Sequence, residues 1–253
     1  MKTTKIALVT GGSRGLGKNM ALSLAQKGID VIITYHSKKN EAEEVVKEIG
    51  ALGQKAAALQ LDTGDLPNFD DFFRALQGLM KNTFDTDTID FLVNNAGFGM
   101  YVGFTEITES QFDALLNVHF KGVFFLTQKA LKVMADGGGI VNISSGLTRF
   151  SNPGSSVYAS MKGAVEILTK YLAKELGARH IRANVVAPGA IETDFGGGRV
   201  RDNPDINKMI ASGTALGRVG LPDDIGSVVA FLCTEDAKWI NGQRIEVSGG
   251  VML

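Results

Sequence analysis

Two residues one helical turn apart carry the most explicit chemistry in this chain. They are Tyr158 and Lys162, in the run Tyr158-Ala159-Ser160-Met161-Lys162. Positions i and i+4 share one face of a helix, so a phenol and an ammonium can point into one pocket. A free phenol has a pKa of about 10 and is a poor base at neutral pH, whereas an adjacent cation favours phenolate. Just upstream, Gly139-Ile140-Val141-Asn142-Ile143-Ser144-Ser145 reads as a strand that delivers two serines at its carboxyl end. Active-site groups of doubly wound sheets collect at that end. The other chemistry-bearing stretch is Thr10-Gly11-Gly12-Ser13-Arg14-Gly15-Leu16-Gly17. Its glycines permit a tight turn and the close approach of a ligand, and the helix that follows offers unpaired N–H groups and a positive dipole end suited to a pyrophosphate.

The elements that must position these groups follow from the apolar patterning. Ile6-Ala7-Leu8-Val9 is a strand entering the glycine turn, and Met20, Ala21, Leu24 and Ala25 give the next segment helical spacing. Asp30 to Tyr35 is a β-branched second strand, followed by His36-Ser37-Lys38-Lys39. An acid at this strand end would hold an adenosine ribose through its 2′-hydroxyl. Tyr35 and His36 stand there instead, and with Arg14, Lys38 and Lys39 nearby the site suits a 2′-phosphate. The alternative is a solvated basic loop.

Ala56 to Leu61 is the third strand, with Asp62 at its end as a partner for an adenine amino group or as a turn or helix cap. Phe69 to Met80 reads as a helix, Asn82 to Asp87 as a polar turn, and Ile89 to Val93 as a fourth strand running into Asn94-Asn95-Ala96-Gly97. The strand order of a doubly wound sheet reverses between its first and fourth strands, so this Asn/Gly turn can line a bound cofactor. Thr108-Glu109-Ser110-Gln111 is a capping box opening a long apolar helix that contains Asn117, which taken alone fits a hydrogen-bonded core residue as well as a functional one. Ala183 to Ala187 is a sixth strand, ending in Pro188-Gly189-Ala190-Ile191-Glu192-Thr193. The segment from Asp194, with Gly196-Gly197-Gly198, reads as a mobile lid to about Ser212, or else as a plain loop. Pro222-Asp223-Asp224 opens another helix, and Arg244 to Val247 is the last strand.

Composition excludes several function classes. The 253 residues carry a formal net charge of −1, which gives no field for nucleic acid or an anionic membrane. Cys233 is the sole cysteine, which rules out an intrachain disulfide and fits a reducing compartment, so a cytoplasmic location is expected. No apolar run approaches the roughly 20 residues of a membrane span, and the N-terminal apolar run enters the glycine turn at once, as a strand does and a signal peptide does not. One domain over residues 1–253 is expected, with no linker or repeat.

Taken in order, Thr10-Gly11-x-x-x-Gly15-x-Gly17, Asn94-Asn95-Ala96-Gly97, Asn117, Ser145, Tyr158-x-x-x-Lys162 and Pro188-Gly189 resemble the short-chain dehydrogenase/reductase family over essentially the whole chain. The resemblance implies an α/β fold: a single-domain Rossmann-like doubly wound sheet of about seven parallel strands with helices on both faces. It also implies a homotetramer packed through the helices around Asn117 and Tyr158. By the family's spacing of thirteen residues to the tyrosine, Ser145 and not Ser144 is the site serine.

The chemistry so implied is reversible hydride transfer between a nicotinamide and a carbonyl or secondary alcohol. Tyr158 is then the general acid or base, and Ser145 the partner of the substrate oxygen. Lys162 holds the nicotinamide ribose and lowers the phenol pKa, and Asn117 supports a proton-relay water. Cofactor contacts are implied at Gly11, Ser13, Arg14, Gly15, Leu16, Gly17, Tyr35, His36, Ser37, Asp62, Asn94, Ala96, Gly97, Tyr158, Lys162, Pro188, Gly189 and Ile191, with Thr193 at the carboxamide. NADP(H) is favoured, NAD(H) is possible, and no metal is expected. Among family members the similarity is to 3-oxoacyl-(acyl-carrier-protein) reductases, which dock their carrier with basic residues. Arg179 matches one such position, but Ala135-Asp136-Gly137-Gly138-Gly139 lacks the other. That departure leaves sugar, alcohol, diketone and steroid-like carbonyls open. A non-catalytic NADP-binding sensor is the alternative from another class, and the retained tyrosine argues against it.

Overall fold

A computed structural model describes residues 4–253. Seven parallel strands form one sheet in the order β3-β2-β1-β4-β5-β6-β7. The strands are β1 (Ile6–Val9), β2 (Asp30–Tyr35), β3 (Ala56–Gln60), β4 (Ile89–Asn94), β5 (Met134–Ile143), β6 (Arg182–Pro188) and β7 (Arg244–Val247). Every strand pair is parallel, so each connection must cross over a face of the sheet, and most do so through a helix. The expected α/β doubly wound class is what the chain adopts.

The alternation of side chains along each strand divides the core in two. Ala7, Val9, Val31 and Ile33 face helices α1 (Gly15–Gln26), α2 (Lys39–Ala51) and α9 (Pro222–Leu232). Ile6, Leu8 and Ile32 face the opposite layer, which includes α3 (Phe69–Leu79), α5 (Gly122–Ala130) and α6 (Ser156–Glu175). Leu8 and Ile32 are fully buried, and each such side chain contributes about 1.5–3 kcal/mol on leaving water. The helix α4 (Glu109–Leu116) starts at Thr108, whose hydroxyl accepts from the Gln111 N–H while the Gln111 side chain accepts from the Thr108 N–H. The capping box is therefore formed as its sequence indicates.

Four expected boundaries shift. The segment 82–87 is not simply a polar turn: α3 continues through a π turn, Met80–Phe84, because Met80 and Phe84 bury against the sheet. The chain leaves that turn only at Asp85, in the left-handed region. Strand β3 ends one residue early, at Gln60. Strand β5 begins at Met134, well before Gly139, with a bulge that lets the glycines slip past β4. The segment after Asp194 is also more than a loop, since it holds α7 (Arg199–Asp202) and α8 (Pro204–Ser212). α4 and α5 form one continuous run, joined by a second π turn, Asn117–Lys121. The sequence gives no signal for that turn, and it has consequences for the site.

Candidate active site

The glycine turn lies at the carboxyl end of β1, beside β4, where the strand order reverses. Gly11 has a φ of +67°, and a Cβ there would stand 3.0 Å from Ala96 Cα. A Cβ at Gly17 would stand 2.1 Å from the Gly11 carbonyl oxygen, so only glycine lets α1 seat this closely. Helix α1 has no side-chain cap at Arg14 and no acid in its first turn. Its N–H groups and dipole are therefore left for an anion, and the cradle fits the pyrophosphate of a dinucleotide.

The turn is braced from β4. Thr10 Oγ1 accepts from the N–H groups of Asn95 and Ala96, and Asn95 Nδ2 donates to the carbonyls of Thr10 and Gly11. Asn95 is thus the amide that shapes this loop. The Asn94 side chain turns into the core and donates to Thr127 Oγ1 and Asn142 Oδ1, so only its backbone faces the turn's ligand side. A buried amide takes partners wherever they lie, and here they lie beneath the sheet end.

At the adenosine end, Tyr35 is half-buried and His36 and Ser37 are exposed. His36 Nε2 sits 3.4 Å from Asp62 Oδ2, while Asp62 Oδ1 accepts from the Gly64 N–H. Asp62 therefore closes a short turn as well as lining this rim. Arg14 does not stand free: its guanidinium meets Asp194 at 3.1 Å. Gly15 faces Thr193, and Leu16 and Ile191 pack on the same core. Gly189 lies against Ser248, at the end of β6 beside Pro188.

Tyr158 and Lys162 lie on the first turns of α6, Tyr158 partly buried and Lys162 in the interior. Lys162 is 5% exposed, and its Nζ donates to the Ile143 carbonyl at 2.7 Å while lying 5.6 Å from the centre of the Tyr158 ring. Burial alone draws its pKa down from 10.5 to about 8. The expected lowering of the phenol by Lys162 does not occur in the protein by itself. Burial, with Tyr101 adding to it, pushes Tyr158 above the usual phenol range, and the Ser145 side chain works the other way. The ammonium is directed at a backbone carbonyl and stands over the ring, so desolvation wins.

The two serines separate cleanly. Ser144 is buried and donates to Glu166 Oε1 at 2.7 Å, in a network that includes Arg244 and Thr148. Ser145 faces Tyr158 and caps the short turn after β5 by accepting from Leu147 N–H.

Asn117 stands at the start of the π turn. Its Cβ lies toward Gly64, 4.0 Å from where a Cβ would stand there. Residues i and i+2 of a helical turn lie on roughly opposite sides. The residue that meets the tyrosine is His119, whose ring stands edge-on to Tyr158 with centroids 5.0 Å apart and planes at 86°. Only a buried histidine in the right turn of that helix could have signalled it, and the π turn hides the phase.

The segment after Thr193 covers the cluster. The Phe195 ring lies 5.8 Å from that of Tyr158, and a Cβ on Gly99 would strike Phe195 at 2.8 Å. Gly196, at a φ of +62°, passes so close to Tyr101 that a Cβ would lie 2.9 Å from that ring. Phe98, Met100, Leu116 and Phe120 join Leu115, Val157 and Met161 in an apolar cluster that packs around Tyr158.

A family model described as enoyl-(acyl carrier protein) reductase matches residues 11–252. The chain is 37% identical to a hydroxynaphthalene reductase-like protein, Arp2, of Metarhizium brunneum, covering 97% of this chain and 94% of that one. Among solved structures, a promiscuous reductase, LugOII, that catalyses keto-reduction at C1 in lugdunomycin biosynthesis superposes with a TM-score of 0.94. It is 38% identical over the full length of both chains. The angucycline C-6 ketoreductase LanV, solved with NADP bound, superposes with a TM-score of 0.94 at 37% identity, covering 99% of this chain and 97% of its own. LanV has also been solved with NADP and rabelomycin together.

Proposed function

The chain belongs to the short-chain dehydrogenase/reductase family, and from that premise we propose that it is an NADPH-dependent reductase of polycyclic aromatic ketones. It is an NAD(P)-dependent oxidoreductase acting on carbonyl and alcohol groups. NADP(H) is the favoured cofactor, supported by the neighbours solved with it and by the absence of an acid at Tyr35 and His36. The residues of the glycine turn would hold the pyrophosphate, Arg14 the 2′-phosphate, Asp62 the adenine, and Thr193 the carboxamide. When bound, the cofactor supplies a hydride to the carbonyl carbon.

The protein's own residues manage the proton and the oxygen. Tyr158 gives its phenolic proton to the carbonyl oxygen as negative charge develops there. Ser145 donates a hydrogen bond to the same oxygen, and the Lys162 ammonium, buried beside the ring, stabilises the phenolate left behind. Because burial keeps Tyr158 protonated, the resting site is prepared for reduction.

The observation that carries the substrate class is the aromatic lining: exposed Phe195 packs on the Tyr158 ring, and exposed Tyr101 stands beside it against Gly196. Such a chamber suits a flat aromatic ketone and offers few partners for a sugar's hydroxyl groups. A carrier-bound acyl chain is disfavoured, because Arg179 spends its donors on Asp136, Leu131 and Met134 within the chain. The test is NADPH oxidation with a panel of polycyclic hydroxyketones, 3-oxoacyl thioesters and sugars. Turnover concentrated on the thioesters or the sugars would overturn the substrate class.

The assembly we assign is a homotetramer. Partly exposed Phe112, Phe124 and Phe125 on α4–α5 and exposed Ile167 and Tyr171 on α6 support a partner on that face. Among the described residues no helix is long and apolar enough to cross a membrane. The cytoplasm is the compartment proposed, on the single buried cysteine.

A further inference from the structure

Behind Ser145 lies a charged cluster to which the reaction above gives no task. Strand β7 carries Arg244 and Glu246 at alternate positions, so both side chains leave one face of the sheet, where they meet Glu166 of α6 and Arg149. Glu166 Oε1 accepts from Arg244 Nε at 2.8 Å, from Ser144 Oγ at 2.7 Å and from Thr148 Oγ1 at 2.7 Å. Arg244 Nη1 reaches Glu246 Oε2 at 3.0 Å, and its Nη2 donates to Thr148 Oγ1 at 3.1 Å and to the Ser145 carbonyl at 3.3 Å. Glu246 is itself gripped by Arg149 through two N–H groups at 2.9 Å, and Arg149 Nη1 donates to the Met252 carbonyl at 2.8 Å. The side chains of Arg244 and Glu166 are 23% and 16% exposed, so water screens this pair only in part.

The proton inventory decides which member of the cluster holds Ser145. The Thr148 hydroxyl stands 2.9 Å from the Ser145 carbonyl and 2.7 Å from Glu166, yet it has one proton to give. The carboxylate is the stronger acceptor and lies nearer, so that proton goes to Glu166. The Ser145 carbonyl then depends on Arg244 Nη2 and the Thr148 backbone N–H, each at 3.3 Å. Of these two donors, only the guanidinium is anchored outside the turn, by Glu166 on α6 and Glu246 on β7. On its other side Ser145 Oγ accepts from the Leu147 N–H at 3.2 Å, which leaves its own proton free for a substrate oxygen. Holding the carbonyl fixes the peptide plane that opens the turn, and the turn sets where the Leu147 N–H meets Oγ.

We infer that Arg244 is the positioning residue of Ser145: clamped between Glu166 and Glu246, its guanidinium holds the Ser145 carbonyl and so aims the Ser145 hydroxyl at the substrate oxygen. Arg244 takes no part in the proton transfer. Lysine is no substitute, because one ammonium lacks the planar fork that meets two carboxylates, a hydroxyl and a carbonyl together. The inference rests on Ser145 as the partner of the substrate oxygen.

The test is a double-mutant cycle in kcat with Arg244→Met, Ser145→Ala and the two combined, and with Arg244→Lys as a further variant. Arg244→Met is expected to lower kcat about tenfold, while NADPH affinity by fluorescence stays near wild type. In the Ser145→Ala background the same substitution should change kcat by less than about twofold, since the hydroxyl it aims is gone. A loss of packing alone would lower kcat equally in both backgrounds. Arg244→Lys should keep the melting temperature near wild type and still lose kcat severalfold. Wild-type kcat in Arg244→Met overturns the inference, and so does an undiminished loss in the Ser145→Ala background. If Arg244→Met does not fold, the cycle is run with Arg244→Lys, and wild-type kcat or additive losses there overturn it. Wild-type kcat in Ser145→Ala alone instead defeats the underlying assignment of the serine, and the inference with it, whatever the Arg244 variants do.

Discussion

Arg14 and Asp194, 180 positions apart in sequence, meet in an ion pair at 3.1 Å that ties the glycine turn to the segment covering Tyr158. Asp194 is also held by Arg201 at 2.5 Å, and these cations keep its carboxyl below the usual range. Arg14, the residue proposed for a 2′-phosphate, is therefore already engaged. Both partners are substantially exposed, and such pairs contribute about 0–1 kcal/mol, whereas a charge-assisted phosphate contact contributes about 1.5–3 kcal/mol. On those magnitudes a 2′-phosphate would displace Asp194 from Arg14.

Arg14→Ala should therefore weaken NADPH about tenfold or more and leave NADH little changed, with added salt narrowing the gap. Asp194→Asn should tighten NADPH by at most about fivefold, because it releases Arg14. Fluorescence titration of both cofactors checks this. Equal affinity for NADH and NADPH in the native protein would contradict it.

Tyr158→Phe should retain the fold and NADPH binding while losing turnover by orders of magnitude, since only the proton donor is removed. Ser145→Ala should be impaired in kcat. Ser144→Ala should show itself chiefly in the melting temperature, because it breaks the bond to Glu166 behind the site. The reverse ordering of the two serines would mean that the wrong hydroxyl has been assigned to the substrate.

The pH dependence follows from two buried groups. Lys162 is a cation below about pH 8 in the free protein and neutral above it, because burial depresses its pKa. The kcat/KM for reduction reports the free enzyme, so it should hold through neutrality and decline above about pH 8. Tyr158 is displaced upward by burial, so the oxidation of the alcohol, which needs phenolate, should still be rising there. A reduction rate that increases through the same range would contradict the Lys162 role.

The segment from Asp194 to about Ser212 should gain hydrogen-exchange protection when NADPH and substrate are both bound. Its hinge is Gly196, Gly197 and Gly198, all at positive φ, which side chains other than glycine rarely adopt. Protection unchanged between the free and the ternary states would mean that this segment is a fixed wall.

The sequence by itself determined the glycine turn, the alternation that divides the two core layers, the capping box at Thr108, and the pairing of Tyr158 with Lys162 on one helix face. These are local: each depends on spacings of a few residues within one strand, turn or helix. What lies across the fold was decided by tertiary packing. Asn94 and Asn95 are neighbours of one type, yet strand alternation sends the first into the core and the second to the glycine turn. Ser144 and Ser145 part company for the same reason. Burial, which no spacing encodes, set the Tyr158 and Lys162 pKa directions against the expectation from charge alone. The π turn at Asn117–Lys121 widens the helix and turns His119 to Tyr158 and Asn117 to Gly64, because the Gly122 contact with Thr63 fixes the helix's rotation. That rotation depends on a residue about sixty positions away, and no motif in the helix records it.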